Sequence, residues 1–516
     1  MATSAYQAVA FVQDYSLTLI VFIAALTPIY LCYKIAIRPR FSSLRGLPCA
    51  PQKPLLQRLF IEPNSLDFVQ WAETVPNDGM IRYFGLLNGE RVLLTTTDGT
   101  RVVHSGDTKT YSRPPAAKAI LCRLTGGGIF AAEGSEHALQ RKEMQPGFKH
   151  RQLKDMYPTF WKKTVELLDS LDSFCGKSAK LIEVDDWVSR GTLDAIALAG
   201  FGFDFNSIKE PQSELVRRYR TAFLPSGSAA LIKILAQIVP IRILFNLPMK
   251  RNRDAKACIQ TIRCATREVI KKRESESTAE KEAHKDILSV LLASPKFATT
   301  EDMVSQCMAV LAAGHEASAL ALGWTLYELS KDPERQQRLR EEIRTNMPSP
   351  GSDTPIDPAK VDSMEYLEAV VKESLRFWGP VPRQTRVSPE KTVVCGQAIP
   401  ARTPLVVSLY LMNRSKENWG PTAGEFIPER WLGSAEAKAY GGSKDRYCFS
   451  TFSHGARSCI GQKFAHYEIL IFLAGLVGKF EWSPGPEKTV EADHWTTVML
   501  KTNGILRLTA KPLDVW

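Results

Sequence analysis

A chain of 516 residues, 44% hydrophobic and 23% charged, can bury a large core and is too apolar to be a disordered segment. Its ten cysteines are scattered with no CxxC pair, which excludes a disulfide framework or a zinc array and reads as reduced thiols in the cytosol. The formal charge of +11 would suit nucleic acid, an anionic membrane or an acidic protein, but no basic block interleaved with aromatics accompanies it, so nucleic acid is not expected as a partner.

The first element is apolar. No charged residue lies between Asp14 and Lys34, and a helix over 16–37, rising about 1.5 Å per residue, matches a hydrocarbon core of about 30 Å. Lys34, Arg38, Arg40 and Arg45 follow this run and no Lys or Arg precedes it. That charge order argues for an uncleaved transmembrane anchor, with residues 1–15 luminal and the remainder cytosolic. Residues 38–58, basic and broken by prolines, read as a stiff linker, and 59–516 as the domain it carries. Residues 80–105 alternate around Asn88-Gly89 and Asp98-Gly99, which predicts a hairpin region.

Helical periodicity dominates from about 135 to 345. Within it, the apolar stretch 227–249 is interrupted by Pro240, so it suits a segment that dips into a membrane or roofs a greasy pocket rather than one that spans. The mixed charges of 248–285 predict a solvated helix followed by a loop. Residues 380–412 turn proline-rich and β-branched, predicting a small sheet. A long helix follows from about Gly461 to Gly478, and strand-like pieces close the chain by 510. The whole reads as mainly α with small β-sheets. The sequon Asn413-Arg414-Ser415 is expected to be silent on the cytosolic side.

Three polar interruptions carry the chemistry. In "CMAVLAAGHEASALALGWTLYEL", residues 307–329, a zinc-protease reading of His315-Glu316 needs histidine at 319, which is alanine. In "KESLRFWGPVP", Glu373 and Arg376 are three apart on a helix that ends before Gly379-Pro380 and can pair. In "FSHGARSCIGQKFAHYE", Cys459 lies between Gly455 and Gly461 just ahead of a helix. The two glycines would allow positive φ and close approach to a flat ligand, while the helix N-terminus and Arg457 would depress the thiol pKa. A nucleophile, a zinc ligand and an axial ligand to haem iron compete for this cysteine. No histidine with a nucleophile-type signature accompanies it, and His454 alone does not complete a zinc set.

Phe452-x-x-Gly455-x-Arg457-x-Cys459-x-Gly461 closely resembles the haem-binding signature of the cytochrome P-450 family. Glu373 and Arg376 resemble that family's K-helix pair, and Arg430 in "PERW" resembles the arginine that completes its Glu-Arg-Arg network. "AAGHEAS" is similar to the oxygen-activating helix, and "EGSEHALQRK" to the C-helix. The resemblance implies Cys459 as the axial ligand of haem b, with His137, Arg141, Arg386 and Arg457 at the propionates. It also implies a structural role for Glu373, Arg376 and Arg430, and a proton relay through Glu316.

The family usually follows that acid with threonine, whereas here Ala317 and then Ser318 follow. Ser318, or water held by Gly314, is expected to serve instead, with a substrate hydroxyl as the alternative. The implied enzyme is a haem-thiolate monooxygenase, single-pass in the endoplasmic reticulum membrane. It would draw electrons from an NADPH-dependent reductase and hydroxylate or epoxidise an apolar terpenoid, polyketide or fatty-acid derivative of secondary metabolism. The same fold could alternatively catalyse a non-oxygenating rearrangement or dehydration, or a peroxide-driven reaction. Substrate contacts by family position are 117–124, 223–239, 309–313, 381–384 and 496–498.

Overall fold

The structure is a computed structural model that describes residues 26, 28–105, 110–223, 234–487, 489–494, 499–514 and 516. Half of the expected anchor at 16–37 lies outside these residues, as do 224–233 of the expected substrate contact at 223–239 and all of that at 496–498.

Part of the basic, proline-broken stretch 38–58 packs on the domain. Leu44 and Ala50 are buried in the core, and the amides of Ala50 and Arg82 bond to the carbonyls of Arg82 and Pro48, each at 2.8 Å. The prolines of this stretch therefore stiffen a segment that pairs with the first strand. Helices α1 (Leu55–Phe60) and α2 (Ser65–Thr74) follow. Strands β1 (Met80–Gly85) and β2 (Gly89–Leu94) form the expected hairpin, with Leu87 and Asn88 taking the left-handed turn. The second half of that predicted hairpin is instead helix α3 (Thr97–Ser105). Asp98-Gly99 starts a helix there because Gly99 packs in the core, where a Cβ would sit 3.1 Å from Cys395 Sγ.

The central region is helical: α4 (Pro115–Thr125), α5 (Gly134–Met144), α6 (Tyr157–Cys175), then strand β3 (Lys180–Glu183) and α7 (Val184–Phe201). After these come α8 (Glu214–Phe223), α9 (Ile241–Asn246), α10 (Lys250–Ser275), α11 (Thr300–Ser330), α12 (Pro333–Asn346) and α13 (Glu365–Phe377). The C-terminal part adds β4 (Arg383–Arg386), β5 (Thr392–Val394), β6 (Gln397–Ile399), β7 (Leu405–Ser408), α14 (Gln462–Lys479), β8 (Phe480–Pro484) and β9 (Arg507–Pro512). The sheets order as β1-β2-β7-β4, β3-β9-β8 and β5-β6. Asn413 of the sequon is 2% exposed and bonded to Thr451 and Ser450, so the fold itself closes that site.

Helix α11 is the axis of the molecule. Among the described residues it alone is long and apolar enough to cross a membrane, yet 67% of its apolar window is buried by protein, as befits a core helix. It starts at Thr299, whose hydroxyl accepts the Asp302 amide, and packs on α7, α13 and α14. Ser318 of α11 and Glu468 of α14 are 1% and 0% exposed, the hydroxyl of the first facing the carboxyl of the second. Burial pushes Glu468 up to about 8, with the Ser318 hydroxyl opposing.

A second buried carboxylate is fully satisfied. Glu373 accepts Arg376 Nε and Nη2 at 2.8 and 2.7 Å, Arg430 Nε at 3.0 Å, Trp431 Nε1 at 2.9 Å and the Ile427 amide at 2.7 Å. Burial alone would raise Glu373, but the bonds and charges of Arg376 and Arg430 outweigh it and hold the carboxyl below its ordinary value.

Glu373→Gln, which leaves Arg376 without its counter-charge, is expected to cost about 3–5 kcal/mol in denaturant unfolding of the holoprotein; a loss below about 1 kcal/mol would contradict a load carried by this pair. Native Glu468 keeps a proton that the unfolded chain releases between about 4.5 and about 8. Its contribution to stability therefore falls as pH rises through that window. The thermal midpoint of Glu468→Gln should gain on that of the parent from pH 5 to pH 8, and a pH-independent difference would refute the assignment.

Candidate active site

The cysteine loop is shaped by its own backbone. Ser453 and Gly455 take positive φ (57° and 72°), and the Cys459 amide closes the loop on the Phe452 carbonyl at 2.8 Å. Gly455 is needed for space as well, because a Cβ there would lie 1.9 Å from the His104 carbonyl oxygen at the end of α3. The same argument does not hold at Gly461. Its φ is −88°, and a Cβ would meet Phe148 and Cys459 Sγ at ordinary distances of 3.9 and 4.0 Å.

Cys459 is exposed, whereas Cys175, Cys258, Cys307 and Cys448 are buried. The depressed thiol expected from the sequence is not found: the surrounding protein pushes it up, against the Gly461 amide and the Arg141 charge, which pull it down. Arg457 does not supply that charge. It donates to the Ala132 carbonyl at 2.9 Å and pairs with Glu133. Arg141 is the cation near the sulfur, donating to the Ser458 carbonyl at 2.6 Å and hydroxyl at 3.1 Å. His137 and Arg141, one turn apart on α5, thus serve different neighbours.

His137 instead joins a cluster of positive groups. Arg386 is 7% exposed and donates only to the Thr385 carbonyl and the Gln384 amide oxygen, at 3.2 and 2.9 Å. Burial and the charges of Arg113 and Arg457 push it down to about 9. Burial likewise lowers Arg457 to about 10, with Arg113 adding to the fall and Glu133 opposing it. Burial and the neighbouring arginines take His137 down to about 4, and burial, Arg386 and His454 take His104 to about 3. The Nδ1 atoms of both histidines and Nε of Arg457 are buried without partners among the described residues. Three arginines face one carboxylate, Glu133, which Arg113 reaches at 3.3 Å. An excess of buried cations with orphaned nitrogens is a site for a ligand carrying several negative oxygens. Arg113 and His104 carry no local sequence signal beyond the Arg113-Pro114 pair, and their role rests on distant contacts.

Helix α11 carries one run of half-buried residues. Ala312, Ala313, Gly314, Glu316 and Ala317 are half-buried, while the rest of the helix from Met303 onward is buried. His315 turns away, with Nδ1 3.1 Å from the Tyr219 hydroxyl; burial brings it down to about 4, so it stays neutral. Glu316 pairs with Lys501. Gly314 does not present open backbone for a water, because it admits Ile196 of α7, whose Cγ1 would be 3.0 Å from a Cβ. Ser318 is also displaced from its expected role: one residue further is about 100° around the helix, and its hydroxyl faces Glu468 instead of that run.

The residues fit a haem. Cys459 ends a glycine-shaped loop, a surplus of buried cations would suit two propionates, and α11 carries a half-buried run of small side chains. Phe452 is half-buried beside the loop.

Comparison with known proteins agrees. The cytochrome P450 family profile matches residues 68–508. Cytochrome P450 monooxygenase sphH of Aspergillus fumigatus is 36% identical over 504 residues, covering 94% of this chain and 92% of the relative. Cytochrome P450 monooxygenases FSL4 of Gibberella zeae and FUM15 of Gibberella moniliformis are 34% and 33% identical, each covering 92% of this chain and 89% of the relative. The crystal structure of the cytochrome P450DA heme domain superposes with a TM-score of 0.75 at 20% identity, covering 90% of this chain and 97% of that one; that likeness concerns the fold. With a family match over most of its length and fungal relatives above 30% identity nearly end to end, the chain belongs to the cytochrome P450 family of monooxygenases.

Proposed function

We propose a membrane-bound monooxygenase in which Cys459 ligates haem b, and electrons from an NADPH-dependent reductase drive insertion of one oxygen atom into an apolar small molecule. The observation that carries this reading is Cys459 in its glycine-shaped loop, with Arg141 and the Gly461 amide at the sulfur, together with the surplus of buried cations at Arg386, Arg457 and His137. Arg386, Arg457 and His137, with Arg113 and His104, would hold the propionates, and Gly455 lets the cysteine loop close against the end of α3. Bound haem supplies oxygen activation, for which a thiolate ligand favours O–O cleavage.

The chain's own residues do the rest. The Gly461 amide and Arg141 favour the anionic sulfur that ligation requires. Glu316, its side chain 22% exposed and paired with Lys501 at 30%, sits where a proton can pass from outside to the oxygen side. Neither Ala317 nor Ser318 offers a hydroxyl on the half-buried run of α11, which supports the substrate's own hydroxyl, or water it orders, as the next carrier. The small apolar residues of that run suit a hydrophobic substrate, a terpenoid, polyketide or fatty-acid derivative of secondary metabolism.

Two surfaces support the partners. Leu26, Ile29, Phe41, Leu56, Phe60 and Ile243 are exposed, and Lys34 Nζ ties the N-terminal part of this set to the Gln237 carbonyl at 2.7 Å. Such an apolar face suits a membrane, in keeping with an anchor at 16–37 and an endoplasmic reticulum location. On the other side of the cysteine loop, Lys142, Lys149, Arg151 and Lys463 are exposed. None forms an ion pair among the described residues, which suits an acidic reductase face. A cleft of about 400 Å³ between α13 and α14, lined by Lys372, Phe449, Phe452 and Lys463, lies on this side.

Cys459→Ala is expected to lose the thiolate-type spectrum of the reduced, CO-bound protein, and a variant that keeps it would sink the ligand assignment. Glu316→Gln is expected to divert reducing equivalents to peroxide, lowering product per NADPH roughly 10²-fold. The substrate for that assay would come from comparing metabolites of cells with and without the protein and a reductase; unchanged coupling would exclude Glu316 as the relay.

A further inference from the structure

Residues 215–253 contain eight Lys or Arg and no Asp or Glu, and residues 108–132 contain four and none. The fold brings these two acid-free stretches together where α4 meets α9 and the start of α10. Arg123 of α4 reaches Asn252 there, donating to its amide oxygen at 3.2 Å and its carbonyl at 3.4 Å, and lies over the Phe245 ring at 4.2 Å. Asn252 is 6% exposed and is fixed by its own bonds to the Leu244 and Leu247 carbonyls at 2.8 and 3.0 Å.

Arg251 stands next to it. Its Nη1 is fully buried and has no hydrogen-bond partner. Burial lowers Arg123, and the charge of Arg251 lowers it further, so the two guanidiniums repel across the seam. Neither enters an ion pair among the described residues. Asp254, the one acid in the first two turns of α10, is exposed and pairs with neither. Helix α10 begins with no side-chain cap and no acid in its first turn, and Lys250, Arg251 and Arg253 crowd the positive end of its dipole. Among the described residues no carboxylate pairs with either arginine here, and Arg123 is held by polar and aromatic partners instead. Exposed Ile120, Ile243, Leu247 and Met249 border it.

We propose that Arg123, Arg251 and the first turn of α10 form a seat for an anionic oxygen group, a carboxylate or phosphate-type ester, on a molecule whose apolar part lies along α4 and α9. Bidentate guanidinium contacts favour such groups. The reading of α4 and α9 as the entrance to the substrate space comes from the proposed function. Two sources share this chemistry: the anionic end of an amphipathic substrate, and an anionic lipid headgroup at the membrane face.

The test uses full-length holoprotein in phosphatidylcholine nanodiscs, with octanoate and methyl octanoate as probes. Octanoate should raise the thermal midpoint at a half-effective concentration at least tenfold below that of the ester, and Arg251→Gln should abolish this preference. Arg251→Gln breaks no hydrogen bond, so without a probe its midpoint should equal or exceed that of the parent. Arg123→Gln should lose the preference as well. In a second arm, phosphatidylserine in the nanodisc should raise the midpoint of the parent but not of Arg251→Gln if the headgroup occupies the seat. A response in the first arm assigns a substrate anion, and a response in the second alone assigns a lipid. A parent that responds to neither, or an Arg251→Gln variant that responds as the parent does, overturns the seat. The reduced, CO-bound spectrum of each sample reports the haem-thiolate reading separately.

Discussion

Glu373 carries a negative charge to a point with no solvent exposure, and the donors that satisfy it come from α13 and from the stretch 427–431. Its partner Arg376 extends the network. That side chain also donates to the carbonyls of Asn413 and Ala423 at 2.8 Å and of Glu425 at 2.7 Å. Asn413 in turn accepts the Ser450 amide and donates to Thr451, both at 2.8 Å, and the Thr451 hydroxyl returns to the Leu375 carbonyl at 2.6 Å. One residue later Phe452 takes the Cys459 amide. A continuous run of short bonds thus fixes the base of the cysteine loop to the helix behind it. Removing the carboxylate would strand a buried guanidinium at the root of that run.

The electrostatics of the molecule are divided by depth. Behind the loop, buried charge is balanced. In front of it, around Arg386, Arg457 and His137, positive charge is left in excess, and burial first, with the neighbouring positive charges, keeps the two flanking imidazoles neutral. A dianionic ligand would offset that excess. Glu316, the proposed proton carrier, pairs elsewhere with Lys501, so the groups that would hold a ligand and the group that would move a proton do not compete for the same charges.

The sequence made the helical axis, the C-terminal helix and the cysteine signature legible, because their apolar periodicity and glycine spacing are local. The hairpin at 80–94 was legible for the same reason. Asp98-Gly99 misled because a turn dipeptide also starts helices, and only the packing of Gly99 against Cys395 decides. Ser318 misled because adjacency in sequence is a large rotation on a helix. Arg457 and Arg141 exchanged their expected neighbours, since Glu133 competes for the first and Ser458 for the second. Glu468, Arg113, His104 and Lys501 were invisible: each acquires its meaning from a partner more than a hundred residues away or from an environment that exists only in the folded chain.

Lys501 sits in a short span tied at several points. The Leu500 amide bonds to the Pro380 carbonyl at 2.7 Å, the Leu500 carbonyl accepts the Trp324 indole at 3.0 Å, and the Thr502 hydroxyl reaches Asp185 at 3.3 Å. Pro380 leads directly into the segment 381–384. The carboxylate on α11, the wall before β4 and the C-terminal span are therefore one mechanical body. On the proposed mechanism, a ligand that displaced 381–384 would therefore also act on the ammonium paired with Glu316.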